Sequence, residues 1–357
     1  MSFSESPVFI VGWPRSGTTL LAKMLAAHPG MACGPESHLF SKISQGTIQQ
    51  ALTSDDWVSS IAETVGGITL SGQGVLELYG HTASSFRDEL SVRKPSMPEV
   101  LSALYSNLMT RTGAVRIVEK TPNHICHLDR IRSRFPKSRI IRITRDPRDA
   151  VFSMRKLPWM PDDIVAGSLL WDRWFRSSKD FFENDPLSMT VRYEDLATNC
   201  KVVLEEICEF IGENFDPCME SFYESSDTVF TPGESWKEDV SQPIDASRIY
   251  SWKKNEVDKE DLSLVSGICH KGIRYFEYEP SLVEPLPSFE ALDSLSLASA
   301  TVLARGLIEN RCGFQIDINE LSGRKLRTLK HNLMGFLRLI SNIFSKRNSL
   351  VMFHSSK

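Results

Sequence analysis

The eight residues Gly12-Trp13-Pro14-Arg15-Ser16-Gly17-Thr18-Thr19 have the composition of a loop that cradles a phosphate. Backbone N–H groups in such a glycine-bounded loop turn inward, and a helix opening directly after it adds partial positive charge, so an anion is held with few side chains. Thr18 and Thr19 can add hydroxyl and amide donors, and Arg15 supplies a cation two residues before the second glycine. The Gly-x-x-x-x-Gly spacing is informative because it lies between an apolar run and a helical pattern. It departs from the loop that serves nucleoside triphosphates. Thr18 stands where that loop has the lysine that reaches β- and γ-phosphates. Nor does an apolar strand end in an aspartate placed to hold Mg²⁺; Arg142-Ile143-Thr144-Arg145 occupies that slot. These residues suit a metal-free site for one 5′-phosphate better than a site for ATP with Mg²⁺.

Positioning that loop requires a strand before it and a helix after it. Val8-Phe9-Ile10-Val11 reads as the strand, and 18–28 as the helix, with Leu20, Leu21, Met24 and Leu25 on one face and Pro29-Gly30 as the stop. Further strands are expected at 116–118, 139–144 and 188–193. Helices are expected at 123–135, from 149 to a break near Pro158 and Pro161, at 164–182, through about 211, and at 259–279. Residues 36–110 read as mostly helical with a Gly-rich loop at 66–74, and 214–257 as a functional loop. This alternation predicts an α/β fold, a P-loop-like parallel sheet flanked by helices on both faces. Trp171, Trp174, Phe175, Phe181 and Phe182 recur at helical spacing, which places them in the core.

Pro280, Pro285 and Pro287 mark a boundary between a first domain, 1–283, and a C-terminal helical extension, 284–357. The extension reads as an apolar helix at 289–311 and a second helix at 323–345, with seven Lys/Arg against one Glu between 320 and 347. Such a segment could close the core, form a homodimer surface, or rest peripherally on an anionic membrane.

The 357 residues carry 41 Lys+Arg against 45 Asp+Glu, a formal charge of −4, with 41% hydrophobic and 24% charged residues. This composition is that of a globular enzyme and excludes collagen-like or low-complexity classes. A near-neutral balance also argues against nucleic acid as a partner. Seven scattered cysteines, none in C-x-x-C spacing, suggest neither a zinc site nor a redox dithiol, and point to reduced thiols. With no basic n-region, no signal-like apolar run and no spanning-length apolar stretch, a cytoplasmic location is expected.

Pro14-Arg15-Ser16-Gly17-Thr18-Thr19-Leu20 resembles the 5′-phosphosulfate loop of sulfotransferases that use 3′-phosphoadenosine 5′-phosphosulfate (PAPS) as co-substrate. Ile143-Thr144-Arg145-Asp146-Pro147-Arg148-Asp149-Ala150-Val151-Phe152-Ser153 resembles the same family's 3′-phosphate motif, an arginine with a serine eight residues on. Arg145 at a strand end and Ser153 about a turn into the next helix can converge on one phosphate. Ala27-His28-Pro29 and Cys33-Gly34-Pro35-Glu36-Ser37 bring the likeness nearest to the tyrosylprotein and carbohydrate branches. There the second acidic residue of a Cys-Gly-Glu-Glu run is the catalytic base; here Pro35 replaces the first, and Glu36 remains.

The resemblance implies further roles. Lys120, in Glu119-Lys120-Thr121-Pro122-Asn123-His124, would touch the transferred group, and Arg15 would neutralise charge at the 5′-phosphate. Ser16, Gly17, Thr18 and Thr19 would complete the phosphosulfate cradle, and Tyr193 would contact the nucleotide. The segment 247–253, with Ser247 and Lys253, would cover the adenosine and its 3′-phosphate. His124 is the second candidate base, although a structural role suits it better. The reaction implied is transfer of a sulfonate to an acceptor hydroxyl of a sugar, lipid, tyrosine or small metabolite. Two rivals remain: a P-loop small-molecule kinase, and a non-catalytic nucleotide-binding protein.

Overall fold

The computed structural model describes residues 6–155, 157, 164–225, 229–231, 233–254 and 257–279. The expected extension at 284–357, its basic segment 320–347 and the proline-marked boundary lie outside the described residues.

The chain begins with β1 (Val8–Gly12), α1 (Thr18–Ala26) and β2 (Met31–Cys33). A helical excursion follows: α2 (Gln45–Leu52), α3 (Trp57–Gly66), a minimal hairpin β3 (Thr69–Leu70) and β4 (Gln73–Gly74), then α4 (Val75–Leu78), α5 (Ala83–Ser91) and α6 (Met97–Thr112). The main sheet resumes with β5 (Arg116–Lys120), a 3-10 turn at Pro122–His127, α7 (Leu128–Arg134), β6 (Arg139–Thr144), α8 (Pro147–Met154), α9 (Ile164–Asn184) and β7 (Ser188–Arg192). Beyond it lie α10 (Tyr193–Thr198), α11 (Cys200–Ile211), several short 3-10 turns, α12 (Ser251–Lys254), α13 (Lys259–Ile268) and α14 (His270–Tyr275).

Five strands pair in the order β2-β5-β1-β6-β7, all parallel. The apolar run of β1 shows why this sheet is covered twice. Val8 and Ile10 enter one core with Val118, Ile141, Leu21 and Leu204, while Phe9 and Val11 enter the other with Ile117, Ile140, Phe135 and Trp174. Side chains alternate across a strand, so a strand apolar at every position needs partners on both faces. Trp171, Trp174 and Phe175 are buried as expected, with Phe181 and Phe182 packed at the margin.

Several expectations are refined. The helix expected at 123–135 is a 3-10 turn, Pro122–His127, followed by a shorter α-helix, Leu128–Arg134. The single helices expected after β7 and at 259–279 are each two segments, and the 66–74 loop contains the β3–β4 hairpin. Tyr193, expected to end a strand, instead opens α10.

Because the strands are parallel, their C-terminal ends share one edge. β1 lies centrally, and the chain departs from it first toward β2 and β5 and then toward β6 and β7. A crevice at such a reversal of strand order is where open α/β sheets bind ligands.

Candidate active site

Each main-sheet strand delivers one part of the site at this edge. β1 leads into the phosphate loop, β2 toward Glu36, β5 ends in Lys120, β6 is followed by Arg145, and β7 by Tyr193. They surround a cleft of about 930 Å³ lined by Arg15, Gly17, Thr18, Thr19, Glu36, Arg145 and Tyr193 among others.

The loop's backbone is tightly constrained. A Cβ on Gly12 would lie 2.3 Å from the Ile143 carbonyl oxygen, and one on Gly17, at φ +96°, would lie 2.7 Å from the Tyr193 ring. Arg15 itself adopts φ 67°, a left-handed conformation uncommon for a residue with a side chain. No side chain caps α1 and no acidic residue sits in its first turn, so its N-terminal amides face the loop uncompensated. Ser16 Oγ is buried without a hydrogen-bond partner among the described residues. These features fit an anionic ligand.

Arg15 Nε donates to Ser153 Oγ at 3.0 Å and an Arg15 guanidinium N–H donates to the Trp236 carbonyl at 2.6 Å. Arg15 therefore links the two phosphate motifs rather than standing only at the 5′ end. Arg145 donates to the backbone carbonyls of Arg15 (3.3 Å) and Arg248 (2.7 Å), and its guanidinium lies 4.7 Å from the Tyr193 ring centroid. Its buried Nε has no hydrogen-bond partner among the described residues.

Across the cleft, one oxygen of Glu36 accepts from two ammonium groups, Lys120 at 2.9 Å and Lys237 at 2.6 Å. The other lies 3.2 Å from His38 Nε2. Burial pushes the Glu36 carboxyl upward, but Lys120, Lys237 and His38 outweigh it and hold the group well below the usual carboxylate range. Burial lowers the Lys120 ammonium despite Glu36, whereas Glu36 and Glu234 overcome burial and raise Lys237.

Beneath this cluster Glu119 is fully buried. It accepts from Ser37 Oγ at 2.7 Å and Thr121 Oγ1 at 2.6 Å, and pairs with His124 Nδ1 at 2.9 Å. His124 Nε2 accepts the Phe40 N–H at 3.2 Å, which places the imidazole proton on Nδ1. Both ring nitrogens are thus occupied, and His124 braces the turn that presents Glu36.

The structure does not bring Ser247 and Lys253 to the cleft. Ser247 bonds to Asp245 on the exposed side, and Lys253 pairs with Glu279 over the rings of Tyr250 and Trp252. Arg248 lines the cleft from that segment instead. Lys237 and the Glu119 network were not legible as site residues, whereas Arg248 falls within the segment 247–253 expected to cover the nucleotide, though it is not one of the residues singled out there. Lys237 sits 201 residues from Glu36, and the only hint is its place in a turn-rich segment carrying Trp236.

Residues 7–217, more than half of the chain, match the sulfotransferase family. The chain belongs to that family of enzymes. It is similar to a Caenorhabditis briggsae protein assigned as a protein-tyrosine sulfotransferase, with 25% identity over 260 residues, spanning 71% of this chain and 82% of the relative. It is also similar to protein-tyrosine sulfotransferase 1 of Danio rerio, with 23% identity over 257 residues, 69% of this chain and 65% of that one. Among solved structures, it is similar to the sulfotransferase domain from the curacin biosynthetic pathway (TM-score 0.57, 22% identity, 77% of this chain and 99% of that one). The sulfotransferase domain of the Synechococcus PCC 7002 olefin synthase is similar at TM-score 0.53 and 23% identity, covering 77% and 96%. The structural likenesses establish the shared fold.

Proposed function

We propose that the protein transfers a sulfonate group from PAPS to an acceptor hydroxyl by in-line displacement, with Glu36 as the general base. The observation that carries this reading is the convergence, at one sheet edge, of an uncapped phosphate loop, the Arg15–Ser153–Arg145 cluster and the Glu36–Lys120 pair. The donor would supply an activated sulfonate on a phosphoanhydride. The acceptor oxygen bonds to sulfur as its proton passes to Glu36, while the sulfur–bridging-oxygen bond breaks and its electron pair stays on the 5′-phosphate. The products are a sulfate ester and adenosine 3′,5′-bisphosphate.

Lys120 would stabilise charge on the bridging oxygen, and Ser16 to Thr19 would hold the 5′-phosphate with the α1 amides. Arg145, with Ser153 and Tyr193, would hold the 3′-phosphate and nucleoside. Such positioning and charge stabilisation account for most catalysis of group transfer between oxygens. Met154, Leu157, Leu170 and Trp174 also line the cleft, which favours an acceptor whose hydroxyl is attached to an apolar body. A cytoplasmic location belongs to this proposal and is supported by the free thiols of Cys33, Cys126, Cys200, Cys208, Cys218 and Cys269.

Calorimetry with adenosine 3′,5′-bisphosphate, with and without Mg²⁺, tests the reading. Metal-independent binding that Arg145→Ala weakens is expected. No binding of that ligand, or binding of ATP only with Mg²⁺, would overturn it in favour of a kinase.

A further inference from the structure

The base of the proposed reaction is engaged at both of its oxygens. Two ammonium groups crowd Glu36 Oε1, and His38 faces Oε2. Three of its roughly four lone-pair sites are thus occupied, and two ammonium groups on one oxygen hold its basicity down, so withdrawal of one of them would make it a better acceptor of the proton.

The two lysines differ in their freedom to do so. Lys120 is the last residue of the interior strand β5, and its side chain is 0% exposed. Lys237 lies instead on the 3-10 turn Ser235–Ser241, which covers the cleft, and its side chain is 12% exposed. It also has a second anionic partner, Glu234 at 2.9 Å, in the preceding turn. Lys237 can therefore shift without losing all compensation for its charge. The adjacent Trp236 carbonyl already holds Arg15 of the phosphate loop. Lys237 is thus tied at once to the donor end of the cleft and to the base.

We propose that Lys237 is a further sulfonate-holding residue: its ammonium passes from Glu36 to the sulfonate oxygens of the bound donor, and this hand-over frees Glu36 to take the acceptor's proton. No covalent bond changes in the hand-over, which exchanges one ion pair for another. It rests on the function proposed above. It adds that the base becomes competent only when the cleft contains a donor that still carries its sulfonate. Adenosine 3′,5′-bisphosphate lacks that group and leaves Lys237 on Glu36.

This makes the ratio of donor to product affinity the deciding measurement. Calorimetry of PAPS and of adenosine 3′,5′-bisphosphate, without acceptor, is made on the wild type, Lys237→Met and Lys237→Arg. A charge-assisted contact to the sulfonate predicts that Lys237→Met lowers the preference for PAPS by about tenfold or more and leaves product affinity nearly unchanged. Lys237→Arg should restore most of that preference. If Lys237→Met does not fold, Lys237→Gln supplies the same comparison. An unchanged ratio, or equal weakening of both ligands, would reduce Lys237 to a tether of the covering turn and overturn the inference. A wild type that binds neither nucleotide would instead defeat the proposed function itself.

Discussion

Glu36, mostly buried, and Glu194, buried, are both carboxyls taken out of water, yet their surroundings push them in opposite directions. Glu36 is held low by two lysines and a histidine despite its burial. Glu36→Gln is expected to lower turnover by at least ~100-fold, the smaller end of what a positioned base contributes. Affinity for adenosine 3′,5′-bisphosphate should change little, which separates loss of the base from loss of the cleft. Glu194 is 4% exposed, and burial pushes its carboxyl up to about 7, a rise that the Asp146 N–H donated to its Oε1 only partly offsets. The unfolded chain releases this proton near the ordinary carboxyl value of 4.5, whereas the folded protein keeps it until about 7. Its contribution to stability is therefore greatest below the lower value, declines as pH rises between the two, and stays lost above the upper one. The decline amounts to about 3 kcal/mol. Glu194→Gln should flatten this slope, so that thermal denaturation shows a larger advantage of the variant over the wild type at pH 8 than at pH 5.

At the scale of elements, the legible parts were those with local periodicity. The unbroken apolar run Val8–Val11 requires two covered faces, and Gly12 and Gly17 stand where backbone crowding excludes a side chain. The placement of Lys237 was not legible, because contact with Glu36 depends on how a turn-rich segment folds back across the sheet edge. Ser247 and Lys253 mislead for a related reason. They have the residue types of a nucleotide cover, but the turn capped by Asp245 directs Arg248 into the cleft and leaves them outside. Even β2 is only three residues long and carries no alternation of its own; its pairing with β5 makes it a strand. Helix packing gives a sharper test. A Cβ on Gly272 of α14 would stand 2.4 Å from the Trp171 ring of α9, which is buried and stacked on Phe175. Gly272→Ala should cost roughly 1–3 kcal/mol through overpacking, visible as a lower midpoint in urea denaturation.

For the whole molecule, the segment 233–254 spans the mouth of the cleft and touches the site at several independent places. Trp236 meets Arg15, Lys237 meets Glu36, Arg248 meets Arg145, and Ser251 donates to Asp149 at 2.6 Å. Ligand binding between this segment and the sheet edge should couple their stabilities. Hydrogen exchange is therefore expected to slow across 233–254 when adenosine 3′,5′-bisphosphate is added, with a much smaller change in α5 and α6. Equal protection of all these regions, or none in 233–254, would show that the segment does not close on the ligand.

Two of the attachments of this segment end on peptide carbonyls: Arg15 on Trp236 and Arg145 on Arg248. A carbonyl is present whatever residue bears it. Side chains of this segment other than Lys237 and Ser251 can thus be exchanged for others that suit a new acceptor, and the fastening to the two arginines persists. Selectivity is free to drift while closure is inherited.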